Sequence, residues 1–194
     1  ACEMEVSNDA RLTVTGKLYV AAQADSTARL SLGAGTVVSA GTIHVGSYGN
    51  GEMTVDGADV KATTEFKIAA QSGSAGSVVL NGGTLSAKSV IGGLGTSYFS
   101  ADGSTLKILA AGKIFDNVGT VTIGAGGLMI DTSGYAVTLN RSLSGGEVIF
   151  AGGDGWVRSF KADKGKDGQP ELLWHFDANP KTSMWVIGGR GTRN

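Results

Sequence analysis

Apolar and polar residues alternate in short runs along most of this chain, and the runs return in a fixed order. Ile43-His44-Val45-Gly46, Phe66-Lys67-Ile68-Ala69 and Val90-Ile91-Gly92-Gly93 are each a β-type run that ends in small residues. A second run follows each one: Met53-Thr54-Val55, Val78-Val79-Leu80 and Phe99-Ser100-Ala101. Next come the turn pairs Asp56-Gly57, Asn81-Gly82 and Asp102-Gly103, and then the apolar landmarks Val60, Leu85 and Leu106. Within the runs the period is two, which is that of a strand with one buried and one wet face. Glycine interrupts too often for helices of ten or more residues.

The landmarks recur about every 21 to 25 residues, a period that belongs to a solenoid rather than to a globular core. One coil cannot bury its apolar residues alone, but a neighbour stacked about 4.8 Å away supplies backbone partners and a continuous interior. The fold expected is therefore all-β, a parallel β-solenoid. Three inner columns follow: Val20, Val45, Ile68 and Ile91; Leu32, Val55, Leu80 and Ala101; Val37, Val60, Leu85 and Leu106. Asp-Gly and Asn-Gly suit a sharp corner because these residues tolerate left-handed backbone. The repeat is already running at the first residues, since Leu12 and Leu18 are spaced by six like Val37 and Ile43, or Val60 and Phe66. This spacing makes the chain read as a piece of a longer protein, with any export signal upstream.

Composition narrows the partners. The chain has 32 Gly and 2 Pro in 194 residues, which without a strict Gly-x-y period excludes collagen. Net charge is −1 with both signs interspersed, so no basic face awaits phosphates and nucleic acid is not an expected partner. No run approaches the roughly 18 apolar residues of a membrane helix. A single cysteine, Cys2, allows no internal disulfide, and nothing around it marks a nucleophile.

After Ile108 the pattern changes, through Gly119-Thr120-Val121-Thr122-Ile123, Gly127-Leu128-Met129-Ile130-Asp131 and Ala136-Val137-Thr138-Leu139-Asn140, to Leu143-Ser144-Gly145-Gly146. This segment resembles the autotransporter-associated β-strand repeat of bacterial surface passenger domains. Residues 12 to 108 resemble the Gly/Thr-rich solenoid repeats of secreted, adhesin-like bacterial proteins. The resemblance implies a right-handed solenoid, exported to the cell exterior or outer-membrane surface, with no catalytic residues to carry over.

A compositional shift at about Glu147 divides the chain into repeats over 1–146 and a tail over 147–194. All three tryptophans, Trp156, Trp174 and Trp185, and both prolines lie in the tail. Val148 to Phe160 has the pattern of strand, Gly-Asp-Gly turn, strand, followed by an Ala162-to-Gly165 turn and the strand Leu172-Leu173-Trp174-His175-Phe176. This tail resembles one blade of a pyrroloquinoline-quinone-like β-propeller, with Lys166 to Glu171 inserted. A propeller needs about four to eight blades, so no quinone or other cofactor is expected. The tail is expected to pair antiparallel over 147–176, with Trp156 and Trp174 on one face, and either to cap the solenoid or to stand apart.

Candidate chemistry is sparse. Asp56, Asn81 and Asp102 fall at equivalent corners and could stack into an oxygen ladder for calcium. Turn geometry explains the same residues, and the Gly-Gly-x-Gly-x-Asp calcium repeat is absent. His44 sits on the wet side of its strand, and His175 has no metal-ligand spacing around it. Asp56 with Asp59 could mimic a glycosidase pair, although two acids around a turn are ordinary solvated residues. The expected function is a non-catalytic structural or adhesive segment whose polar faces meet glycans or surface proteins, with end-to-end self-association as a further interaction. The alternative is a polysaccharide-active solenoid or a fragment of a quinoprotein-like enzyme.

Overall fold

The computed structural model describes residues 1–152 and, beyond them, the backbone of 163–164, 170–173 and 186–187. Seven coils follow one another. The first three each hold two strands: β1 (Cys2–Val6) and β2 (Arg11–Val20), β3 (Thr27–Leu32) and β4 (Val37–Val45), β5 (Asn50–Asp56) and β6 (Asp59–Ile68). In the fourth coil the long second strand divides, giving β7 (Ala75–Asn81), β8 (Thr84–Ala87) and β9 (Val90–Gly92). The fifth holds β10 (Thr96–Asp102), β11 (Ser104–Ile108) and β12 (Gly112–Ile114), and the sixth β13 (Thr120–Ile123), β14 (Leu128–Asp131) and β15 (Val137–Leu139). The seventh contributes β16 (Ser144–Gly145) and β17 (Val148–Ala151).

Every pairing among these strands is parallel and joins a coil to its neighbour. One sheet runs β1-β3-β5-β7-β10-β13-β16, a second β17-β14-β11-β8-β6-β4-β2, and β12 and β15 make a third. The protein is an all-β parallel solenoid, as its alternation predicts. The successive offsets in the first sheet, Cys2 to Ala28, Ala28 to Gly51, Gly51 to Gly76 and Gly76 to Ser97, show the period directly.

Inner side chains stack in columns. Leu32, Val55, Leu80 and Ala101 align as the repeat predicts, and all are buried. The other two expected columns are each displaced by one residue in one coil. Val38, not Val37, aligns with Val60, Leu85 and Leu106, because β6 accommodates one more residue than β4 at the bend near Thr63, where the pairing shifts register. Val90, not Ile91, takes the inward place beside Phe66, while Ile91 aligns with the outward Lys67 and Gly92 with Ile68. Phe66 follows Ala62 by four positions but Val90 follows Ala87 by only three, and a change of one exchanges the faces of a strand.

Stacking on both sides is what buries a coil. Met4 and Met53 occupy the same column, yet Met4 in the first coil is 45% exposed and Met53 in the third is fully buried. The corners also follow their residues: Gly57, Gly82 and Gly103 all have φ between 58° and 73°, the left-handed region that a Cβ disfavours.

The solenoid extends past the expected boundary at 146, since Val148–Ala151 pairs in parallel with Leu128–Asp131. That strand is therefore a coil and not the first arm of an antiparallel unit. Antiparallel pairing does occur further on, between β18 (Asp163–Lys164), β19 (Pro170–Leu173) and β20 (Val186–Ile187). Trp156, Trp174 and His175 lie outside the described residues. Among the described residues no helix is long and apolar enough to cross a membrane.

Candidate ligand-binding groove

Near the start of β3, β5, β7 and β10, a small residue precedes an outward one. Ala28, Gly51 and Gly76 stack in register, and next to them Arg29, Glu52, Ser77 and Tyr98 form an outward row. Small size is imposed by the turn that precedes each strand. A Cβ on Gly51 would lie 2.2 Å from the Gly46 nitrogen, and one on Gly76 would lie 2.3 Å from the Val45 oxygen, distances that no side chain tolerates.

A depression of 520 Å³ runs along this row from Cys2 and Glu3 to Tyr98. Tyr98 also lines a second depression, of 410 Å³, which continues past Leu94 and Thr120 to Arg141. A third, of 320 Å³, shares Thr120 and Arg141 and ends at Ser144. The three form one track that crosses the coils along the solenoid axis. With strands about 4.8 Å apart, the six steps from β1 to β16 span roughly 29 Å.

The walls of this track are electrostatically quiet. Arg29 donates from Nε and Nη2 to Glu52 Oε2 at 3.1 and 2.8 Å, and the hydrogen bond and charge of the Glu52 carboxylate raise the Arg29 pKa. Arg141 donates from Nη2 to the Gly119 carbonyl. Tyr98 and Leu94 stand out from the wall, 50% and 75% exposed. Singly exposed apolar residues are common, but here an aromatic ring and an aliphatic chain both line the same depression.

On the second sheet, Tyr19, His44 and Lys67 align in an outward row. His44 Nε2 lies 2.6 Å from Glu65 Oε1, and Lys67 Nζ lies 3.0 Å from Glu65 Oε2. A carboxylate only accepts, so Nε2 carries the proton and donates. The Tyr19 ring centroid is 5.2 Å from that of His44. Burial raises the Glu65 pKa, but the hydrogen bonds from His44 and Lys67 outweigh it and hold the carboxyl below its ordinary value. His44 is thus not a lone surface histidine: its side chain is 14% exposed and its partner lies 21 residues away. The signal for that partner was in the sequence, because one coil period from His44 falls at Lys67 and Glu65 is two residues before it, on the same face.

The three corner residues do stack. Asn81 is in register with both Asp56 and Asp102. Asn81 Nδ2 donates to Asp56 Oδ1 at 2.8 Å, while Asp102 Oδ1 accepts from the Gly126 amide at 2.5 Å. Each of these contacts ties one coil to the next, as does the donation from Asn140 Nδ2 to Asp116 Oδ1 at 2.6 Å. Among the described residues no group of three His, Cys, Asp or Glu is placed to hold a metal ion. Asp59 begins β6 in the second sheet, in register with Val37 and Thr84, whereas Asp56 ends β5 in the first. Cys2 is exposed and free at the first-coil end of the track.

No family model, curated protein or solved structure matches this chain.

Proposed function

We propose that this chain is a non-catalytic, adhesive or structural segment of a surface-displayed bacterial protein, and that it holds an extended polymer in the groove along its axis. The observation that carries this reading is the track itself, which repeats a small residue and an outward polar or aromatic residue from coil to coil. A rigid stack presents such a row without ordering loops on binding, and that lowers the entropic cost of capture. Many polar side chains on the faces link coil to coil, as Arg29 does to Glu52 and Asn81 to Asp56, which suits a scaffold. Display outside the cell accords with the likeness of residues 119–146 to autotransporter-associated strands.

The test is capture of labelled glycans and extracellular-matrix peptides by the immobilised full chain and by a Ser77→Arg variant, whose long side chain fills the track. Binding of an extended polymer that the variant loses supports the reading. Binding to nothing, or binding that Ser77→Arg leaves intact, overturns it.

A second reading, a polysaccharide-active solenoid, draws on the His44, Glu65, Lys67 and Tyr19 cluster. Its histidine and carboxylate are in proton-transfer contact on an outer face. Release of new reducing ends or unsaturated ends from polysaccharides, abolished by His44→Ala, would establish that reading in place of the first.

A further inference from the structure

We infer that the polymer held in this groove is an uncharged, linear polysaccharide, with Tyr98 as the surface on which a sugar ring stacks at the middle of the track. The inference rests on the proposal that the groove binds an extended chain, and it names the chemistry of that chain. Three observations lead to it.

The first is charge. The charged side chains on the track are Glu3, Arg29, Glu52 and Arg141, two of each sign. Arg29 and Glu52 satisfy one another at 2.8 Å, and Arg141 is directed to the Gly119 carbonyl. A polyanion would meet Glu3 and Glu52, and a polycation would meet Arg29 and Arg141. Either one would have to break an existing pair to be matched, whereas a neutral chain meets no repulsion.

The second is the remaining lining. Thr27, Asn50, Ser77 and Thr120 offer hydroxyl and amide groups that both donate and accept, while Asn140 donates to Asp116 and Ser144 to the Val121 carbonyl, leaving the Ser144 oxygen to accept. Sugar hydroxyls do the same, so each can be matched without leaving a charge unpaired.

The third is the platform. Tyr98 is half exposed and lines two of the depressions, the second of which Leu94 lines as well. An aromatic face takes apolar ring surface while its hydroxyl stays wet, and a sugar ring offers its C–H face to such a surface. Because the groove follows the coil axis, the chain lies parallel to the stack and meets one coil after another. Its affinity should therefore depend on its length.

The experiment is titration of the full chain with cello-, xylo- and malto-oligosaccharides of increasing length, alongside oligogalacturonates and a Gly-Ser repeat peptide. We expect at least one neutral series to bind, with affinity rising as the chain lengthens until it spans roughly 29 Å and level beyond that. Tyr98→Ala should weaken binding about fivefold to tenfold, the size of one aromatic contact, and Tyr135→Ala, an exposed tyrosine off the track, should leave it unchanged. Circular dichroism of each variant confirms the fold. Binding of oligogalacturonate or peptide alone, lost in Ser77→Arg, overturns this inference and leaves the groove reading standing. Binding of none of the probes, or neutral binding indifferent to both Tyr98→Ala and Ser77→Arg, overturns the inference, and the second result removes the groove reading with it.

Discussion

Ile68→Asp tests whether the interior of the middle coils is as closed as the register requires. Ile68 is fully buried, aligned between Val45 of the coil before and Gly92 of the coil after. Its Cγ2 lies against the Gly76 backbone, where a Cβ would come within 2.6 Å of it. The site therefore has no slack. An aspartate there loses the packing of a branched aliphatic chain, about 2 to 5 kcal/mol for truncation of this kind. It also places a carboxyl without a partner in an apolar column, a further few kcal/mol at least. A total of roughly 4 to 8 kcal/mol is comparable with the whole stability of an ordinary domain. The control is Lys61→Asp, an exposed position on the same strand whose register neighbours are Ser39 and Ser86, with an expected change of about 0.5 kcal/mol or less. Lys67 is unsuitable, because it bridges Glu65. Guanidinium unfolding followed by far-ultraviolet circular dichroism is the assay, since all three tryptophans lie beyond residue 155 and their fluorescence would not report on the coils. Equal midpoints for Ile68→Asp and Lys61→Asp would refute the inward assignment of Ile68 and with it the packing argument.

Three further outcomes follow from the same structure. Val90→Asp should lower the unfolding midpoint far more than Ile91→Asp, by several kcal/mol, because Val90 is the inward residue of the fourth coil; similar midpoints would place Ile91 inside. The Glu65 carboxyl has a lower pKa in the folded chain than its ordinary 4.5, so its stabilisation is complete above that value and is lost as pH falls through the folded one. The midpoint difference between the unmodified chain and Glu65→Gln should thus be largest near neutrality and close in acid, as thermal unfolding across pH would show. Millimolar calcium should leave the melting temperature unchanged, because the centre of the corner ladder is the Asn81 amide donating to Asp56 and not a third carboxylate; a shift removed by Asp56→Asn would contradict this.

Much of the fold was legible because side-chain alternation and coil period are both local signals. Leu32, Val55, Leu80 and Ala101, and the Asp56, Asn81 and Asp102 corners, could be aligned by the turn pairs beside them. Alignment failed where no turn pair marked the register. An extra residue at the bend near Thr63 and a missing one between Ala87 and Val90 each shift the pattern by one, and single-residue irregularities leave composition and period almost untouched. The solenoid runs on to Ala151, five residues past the compositional boundary at 146, because Val148 to Ala151 has the same alternation in a parallel coil as in a hairpin. Groove and His44–Glu65 contact were harder to see, since both join residues one or more coils apart. The register that places Gly51 over Gly76 and Lys67 beside His44 is already carried by the Val55–Leu80 and Val45–Ile68 columns, but a depression between side chains and a contact to Glu65 depend on side-chain geometry that alternation does not encode.

The central claim, one groove serving successive coils, is tested most directly by hydrogen exchange of the full chain with and without the longest neutral oligosaccharide that binds it. Protection should recur once per coil, in peptides covering Thr27 to Arg29, Asn50 to Glu52, Ala75 to Ser77, Thr96 to Tyr98 and Gly119 to Thr120, with the period of the repeat itself. Protection confined to one coil, or centred on His44, Glu65 and Lys67 of the other sheet, would contradict it.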